Sequence, residues 1–145
     1  MGSVWSKNQV NIRGFDCQFS FLISSPNEAG FTFAIQRAGN QVTGYPYESL
    51  GFTPITRSAA IKFDIWPSVS TTGLYINGAY PGDDPPASID MAPSGIDLHS
   101  QRVMAVHLTY DGTTLHQTVT DTVTNATFTQ DYTVDLVGAI GSNDA

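Results

Sequence analysis

Hydrophobic residues recur at every second position through much of this chain. Ala59, Ile61, Phe63 and Ile65 alternate with Ala60, Lys62, Asp64 and Trp66, the period of a β-strand with one apolar and one polar face. Lys62, Asp64 and Trp66 are therefore predicted to share the face opposite the core. The same alternation runs through Phe15, Cys17, Phe19, Phe21 and Ile23. It resumes at Phe31, Phe33 and Ile35 after turn-forming residues 24–28. These two strands are expected as sheet neighbours or as a crossing between sheets. Residues 5–13 form a weaker strand candidate.

Two further strands, at 103–110 (VMAVHLTY) and 114–122, flank Asp111-Gly112. Both turn residues tolerate positive φ, which predicts a hairpin with a type I′ turn. Ala126, Phe128, Gln130, Tyr132, Val134 and Leu136 then alternate with Thr and Asp in a final long strand. No window keeps apolar residues at i, i+3, i+4 and i+7, so no helix is expected. Between the strands lie two loops. Residues 38–56 contain three Gly, two Pro and two Tyr, with Tyr45 and Tyr47 near the expected tip. The other follows the 58–65 strand and is rich in Gly, Pro, Asn and Asp, the kind of loop on which a β-scaffold carries its site. The pattern predicts an all-β sandwich, with residues 1–145 as one domain.

Composition narrows the partners. Six Lys+Arg against 13 Asp+Glu give a net charge of −7, and the few basic residues form no stripe to neutralise phosphates, which argues against nucleic acid and anionic membrane surfaces. No apolar run approaches the ~20 residues of a membrane helix, and the opening MGSVWSK lacks the apolar core of a secretory signal. With 13% charged residues and many Thr, Ser, Asn, Gln and Gly, the surface resembles that of extracellular β-proteins. The single cysteine, Cys17, is expected as a small buried hydrophobe.

The ordered segments AGFTFAIQ, AAIKFDIW, STTGLYINGAYP, SGIDLHS, MAVHLTYDGTTL and TVTDTVTNATFTQDYTVDL resemble the legume-type (L-type) lectin domain, particularly its bacterial members. The resemblance covers the chain from about Trp5 onward. It implies a concanavalin A-like jelly-roll sandwich of two antiparallel sheets, a shallow carbohydrate site, and loops held by calcium and a transition metal.

Several positions depart from the family pattern. The family's metal strand reads Glu-x-Asp, where this chain has Lys62 and Asp64, and Pro93 replaces a family histidine ahead of Gly95-Ile96-Asp97. The transition-metal site is therefore expected to be absent. Asp64, Asp84 and Asp83 remain as candidate calcium ligands, with Asn77 and backbone carbonyls nearby. The rival expectation is that the Lys62 ammonium stands where the metal would be and pairs with the carboxylates. For sugar contact, the family's Ala-Asp-Gly-Phe turn corresponds to Glu28-Ala29-Gly30-Phe31. Glu28 stands one place from the missing Asp, and Asn77 is the candidate substitute for a missing family Asn. Trp66, Tyr75, Tyr80, Tyr45 and Tyr47 supply rings on which a sugar can stack. The resemblance thus nominates Asp64, Trp66, Asn77, Tyr80, Glu28 and Tyr45 for carbohydrate contact, with glycans as partners.

Glycoside hydrolases sharing this sandwich use two carboxylates. Here the strand offers Asp64 alone, with Glu48 or Asp84 as distant seconds, so no catalysis is expected. His99, His107 and His116 are too widely spaced for a helical metal motif and are expected to be structural. Asn125-Ala126-Thr127 fits an N-glycosylation acceptor, relevant only in a eukaryotic source. Relative to the family, the chain stops at AIGSNDA before the usual closing strands. Three explanations stand open: a shortened piece of a longer chain, a smaller natural variant, or an open sheet edge filled by a neighbouring copy, which would give homo-oligomers or fibres. The second reading of the chain is accordingly a structural assembly module that keeps the lectin fold and has lost the sugar pocket.

Overall fold

A computed structural model describes residues 2–25, 29–83 and 87–145. Among the described residues, eight strands form two four-stranded antiparallel sheets. In one, β1 (Phe15–Phe21), β6 (Met104–Tyr110), β7 (Thr114–Asp121) and β8 (Thr127–Thr133) lie side by side in that order. In the other, the order is β2 (Phe31–Gln36), β3 (Ser58–Asp64), β4 (Thr71–Ile76) and the two-residue β5 (Ile89–Asp90). The predicted sandwich is present. β1 and β2 belong to different sheets, which settles the choice left open by the pattern.

The core lies between the inward faces. Ile61, Phe63 and Ile65 oppose Val106, Leu108, Leu115 and Val119, all nearly inaccessible to solvent. Where β1 faces β2, Phe19 stacks on Phe33 with centroids 5.0 Å apart, and Phe21 meets Phe31 edge-on at 4.8 Å. Such ring pairs add roughly 0.5–1.5 kcal/mol each beyond burial. Cys17 sits half-buried on β1, and burial, followed by the neighbouring Asp16 charge, pushes its thiol pKa up.

Four local expectations are corrected. Residues 5–13 form no named strand; instead Asn11 bridges Asp144, and Val10 and Ala145 exchange backbone hydrogen bonds of 2.8 and 3.1 Å. The final strand ends at Thr133, because Asp135 Oδ1 accepts from Gly138 N at 2.8 Å and starts a short helix, α1 (Leu136–Ile140). Apolar Leu136 and Ile140 stand four apart on α1 and both reach the core. In the β6–β7 hairpin only Gly112 takes positive φ, at 104°. Asp111 Oδ1 instead accepts from the amides of Thr113 and Thr114, at 2.8 and 2.7 Å, so a side-chain-braced turn replaces the type I′ turn.

The fourth correction positions the site. All seven residues of β3 are buried, including the face predicted to be polar and open. Residues 44–55 fold across that face, so that Phe52 packs on Ala60, Tyr75 and Ala34 in a second, smaller apolar cluster. Glycines let the loops approach closely. A Cβ on Gly30 would fall 1.6 Å from the Phe63 carbonyl oxygen, and one on Gly73, the cross-strand partner of Lys62, 2.0 Å from that of Ala87.

Candidate functional site

The period-2 geometry of β3 puts Lys62 and Asp64 on the covered face, and the chain leaves the sheet just before Trp66. Lys62 is wholly buried. Its Nζ donates to Asp83 Oδ1 at 2.7 Å, to the Gly82 carbonyl at 2.8 Å and to the Pro81 carbonyl at 3.3 Å. Asp64 Oδ2 lies 3.9 Å away, and the Tyr75 ring centroid 5.8 Å. An unpaired buried ammonium would cost several kcal/mol. Here each of its three N–H bonds has an oxygen partner.

Asp64 is nearly as buried as Lys62. Its Oδ1 accepts from Trp66 N at 3.1 Å and, at the longer distance of 3.4 Å, from Gly30 N. One carboxylate thus joins the end of β3 to the entry of β2. Tyr75, predicted as a stacking ring, is buried, and its hydroxyl donates to the Gly82 carbonyl at 2.7 Å. Behind Trp66, His99 Nε2 lies 2.9 Å from the Ile65 carbonyl, while its Nδ1 lies 3.3 Å from Asp97 Oδ1. A carbonyl only accepts, so Nε2 is the donor in that hydrogen bond.

These elements border an open cleft of about 970 Å³. Gly30, Phe31 and Asp64 line it together with Pro46, Tyr47, Glu48, Leu50 and Gly51 from one loop and Trp66, Tyr80, Pro81 and Asp83 from the segments after β3 and β4. Trp66 is 53% exposed and Tyr47 83% exposed, so both residues present surface to a ligand. Tyr80 reaches across the mouth and donates to Glu48 Oε2 at 3.0 Å. Desolvation, then the hydrogen bond and charge of Glu48, with smaller effects of Asp83 and Asp64, raise the Tyr80 pKa and keep its proton in place.

Of the nominated residues, Asp64, Trp66, Tyr80 and Asp83 come together here. Asn77 and Tyr45 do not line the cleft. Asn77 turns the chain after β4 with φ of 53°, and its Oδ1 accepts from Arg57 N at 2.9 Å. Tyr45 N donates to the Thr53 carbonyl at 2.6 Å and its own carbonyl accepts from Gly51 N at 3.0 Å, so its backbone braces the loop that presents Tyr47 instead. Glu28 and Asp84 lie outside the described residues. Glu48, considered in the sequence only as a second carboxylate, lines the cleft, and the carbonyls of Pro81 and Gly82 escaped the pattern, because loop backbone leaves no periodic trace in sequence.

Among the described residues no cluster of three or more His, Cys, Asp or Glu side chains could hold a metal ion. Asp64 and Asp83 both lie within 4 Å of the Lys62 ammonium, so the two carboxylates already face a positive charge of the chain's own. The described residues do not fit a divalent cation.

No family model and no curated protein sequence matches the chain. Solved structures do. Arcelin-5, a lectin-like defense protein from Phaseolus vulgaris, is similar with a TM-score of 0.70 at 21% identity, covering 94% of this chain and 60% of its own. The basic winged bean lectin, solved with Tn-antigen, gives a TM-score of 0.73 at 18% identity, covering 95% and 63%. The winged bean acidic lectin, solved with methyl-α-D-galactose, gives 0.70 at 17%, covering 95% and 64%. The chain thus spans 60% to 64% of the length of these proteins. At such identities the likeness concerns architecture, and the architecture is the legume-lectin-like, concanavalin A-like jelly-roll sandwich.

Proposed function

We propose that this chain is a non-catalytic carbohydrate-binding module of a secreted or surface protein, and that the cleft beside Trp66 takes a neutral sugar. The observation that carries this reading is an open indole set beside hydrogen-bonding oxygens on a lectin fold: Trp66 next to Asp64, Asp83, Glu48 and Tyr80. A pyranose has a face of C–H groups and a rim of hydroxyls. The first packs on an aromatic ring and the second donates to carboxylates.

Charge refines the ligand class. Among the described residues, Glu48, Asp64 and Asp83 line the cleft, whereas the Lys62 side chain is wholly buried and already paired. Sialylated, uronic and phosphorylated glycans meet like charge, and neutral glycans do not. Asp64 Oδ1 accepts from two backbone amides and its Oδ2 faces the Lys62 ammonium at 3.9 Å, and among the described residues no second carboxylate is paired with it across a scissile bond as glycoside hydrolysis requires.

The test is a glycan-array screen of the folded protein beside its Trp66→Ala variant. Binding to neutral glycans that the substitution abolishes supports the reading; a folded protein that binds nothing removes it. A second reading, assembly by strand addition, draws on β1 and β2, each of which pairs along one edge only and carries half-buried phenylalanines. A concentration-dependent mass in solution would favour it, and a discrete monomer would count against it.

A further inference from the structure

We infer that the Lys62 ammonium is a built-in cation that holds the loop over β3 where a lectin fold would use a divalent ion, so that the cleft is organised without metal. The inference concerns loop positioning and stands whether or not the cleft binds sugar.

Its basis is the geometry at Nζ. An ammonium has three N–H bonds, and this one meets three oxygens of consecutive residues, the carbonyls of Pro81 and Gly82 and the carboxylate of Asp83. Three successive loop residues are thereby tied to a strand side chain with no solvent exposure. The strand end is fixed too, because Thr72 Oγ1 donates to the Lys62 carbonyl at 2.8 Å. Asp64, at 3.9 Å, adds a second negative charge without a direct hydrogen bond, and its Oδ1 carries the connection to Trp66 and Gly30. Lys62 therefore sits at the junction of two parts of the cleft lining, Pro81 and Asp83 on one side and Asp64 on the other. A divalent ion there would have to displace the ammonium from its oxygens or lie beside it against Coulomb repulsion.

Two consequences distinguish this positioning role from ordinary burial. The wild-type protein has no use for calcium, and replacing the ammonium with a carboxylate creates a need for it. The experiment measures thermal melting and calorimetric calcium titration for wild type, Lys62→Met and Lys62→Glu, each in calcium and in a chelator. For wild type the expected result is no binding heat and the same midpoint in both solutions. A calcium-dependent rise of more than about 5 °C in wild type would overturn the inference. Lys62→Met is expected to melt lower in both solutions, and an unchanged midpoint would also overturn it. Lys62→Glu is expected to melt below wild type in chelator and to regain part of the loss in calcium. Should that variant fail to fold in chelator, its recovery in calcium is read by circular dichroism, and a variant that calcium leaves unfolded or unaltered counts against the inference. Because every readout is stability or calcium heat, an empty glycan screen would remove the carbohydrate reading and leave this result intact.

Discussion

Gln117 Nε2 donates to Thr72 Oγ1 at 3.0 Å across the interior of the sandwich, joining β7 of one sheet to β4 of the other. Thr72 Oγ1 in turn donates a hydrogen bond to the Lys62 carbonyl at 2.8 Å, and Tyr132 donates to Gln117 Oε1 at 2.8 Å. Every member of this polar chain is satisfied, the condition under which buried hydrogen bonds specify register without a penalty.

Breaking it at the centre should be costly. Gln117→Leu leaves the Tyr132 hydroxyl without its acceptor, a loss of about 1–3 kcal/mol. Adding Tyr132→Phe should recover part of it. Urea titration of the two single variants and the double variant measures the coupling, and strictly additive losses would contradict a shared network.

Acid should destabilise the protein partly through Asp121. Burial of this side chain favours its neutral form, but the amides of Val123 and Thr124 and the Arg102 guanidinium, with Nε 2.6 Å from Oδ2, outweigh burial and hold its carboxyl below the ordinary value of 3.8. A group whose pKa is lower folded than unfolded contributes stability above the unfolded value, and the contribution disappears as pH falls through the folded one. The urea midpoint should therefore drop between pH about 5 and pH about 2. Asp121→Asn should flatten that drop while lowering the midpoint at neutral pH.

The cleft should separate glycans by ring contact and by charge. Trp66→Ala is expected to weaken binding to a neutral glycan by about tenfold to thirtyfold, the equivalent of losing ~1.5–2 kcal/mol of stacking. Its melting midpoint should barely change, because Trp66 is half exposed. Sialylated versions of the same glycan should bind more weakly, and added salt should narrow the gap. Calorimetry at two ionic strengths decides both points.

Gly30→Ala should disrupt the lining of the cleft. The added methyl would fall 1.6 Å from the Phe63 carbonyl oxygen, which forces the entry to β2 away from β3. A destabilisation of more than about 2 kcal/mol is expected, read as a lower urea midpoint.

Alternation made most of the fold legible. Phe15 to Phe21, the Ala59, Ile61 and Phe63 series and the hairpin at Asp111-Gly112 all became strands or turns near the predicted positions, because sheet geometry imposes a period that sequence can carry. The exceptions are tertiary. Leu136 satisfied the strand period of β8 and also the four-residue spacing to Ile140, and Asp135 decided for the helix by capping it. Lys62 and Asp64 were placed on the right face, but only the packing of residues 44–55 and 79–83 makes that face an interior. The same loops chose Tyr47 over Tyr45 for the cleft and diverted Asn77 to a turn, since no period governs an irregular loop.

The burial of Lys62 also divides the side-chain amines in their reaction with acylating reagents. There are two lysines, Lys7 and Lys62; the first is exposed and the second inaccessible. An acylating label added to the folded protein should modify Lys7 at once and Lys62 only in those moments when residues 81–83 lift away from β3. Slow modification of a single side chain, followed by mass spectrometry, thus becomes a clock for local opening beside the cleft, and a bound ligand that closes the loop would slow it.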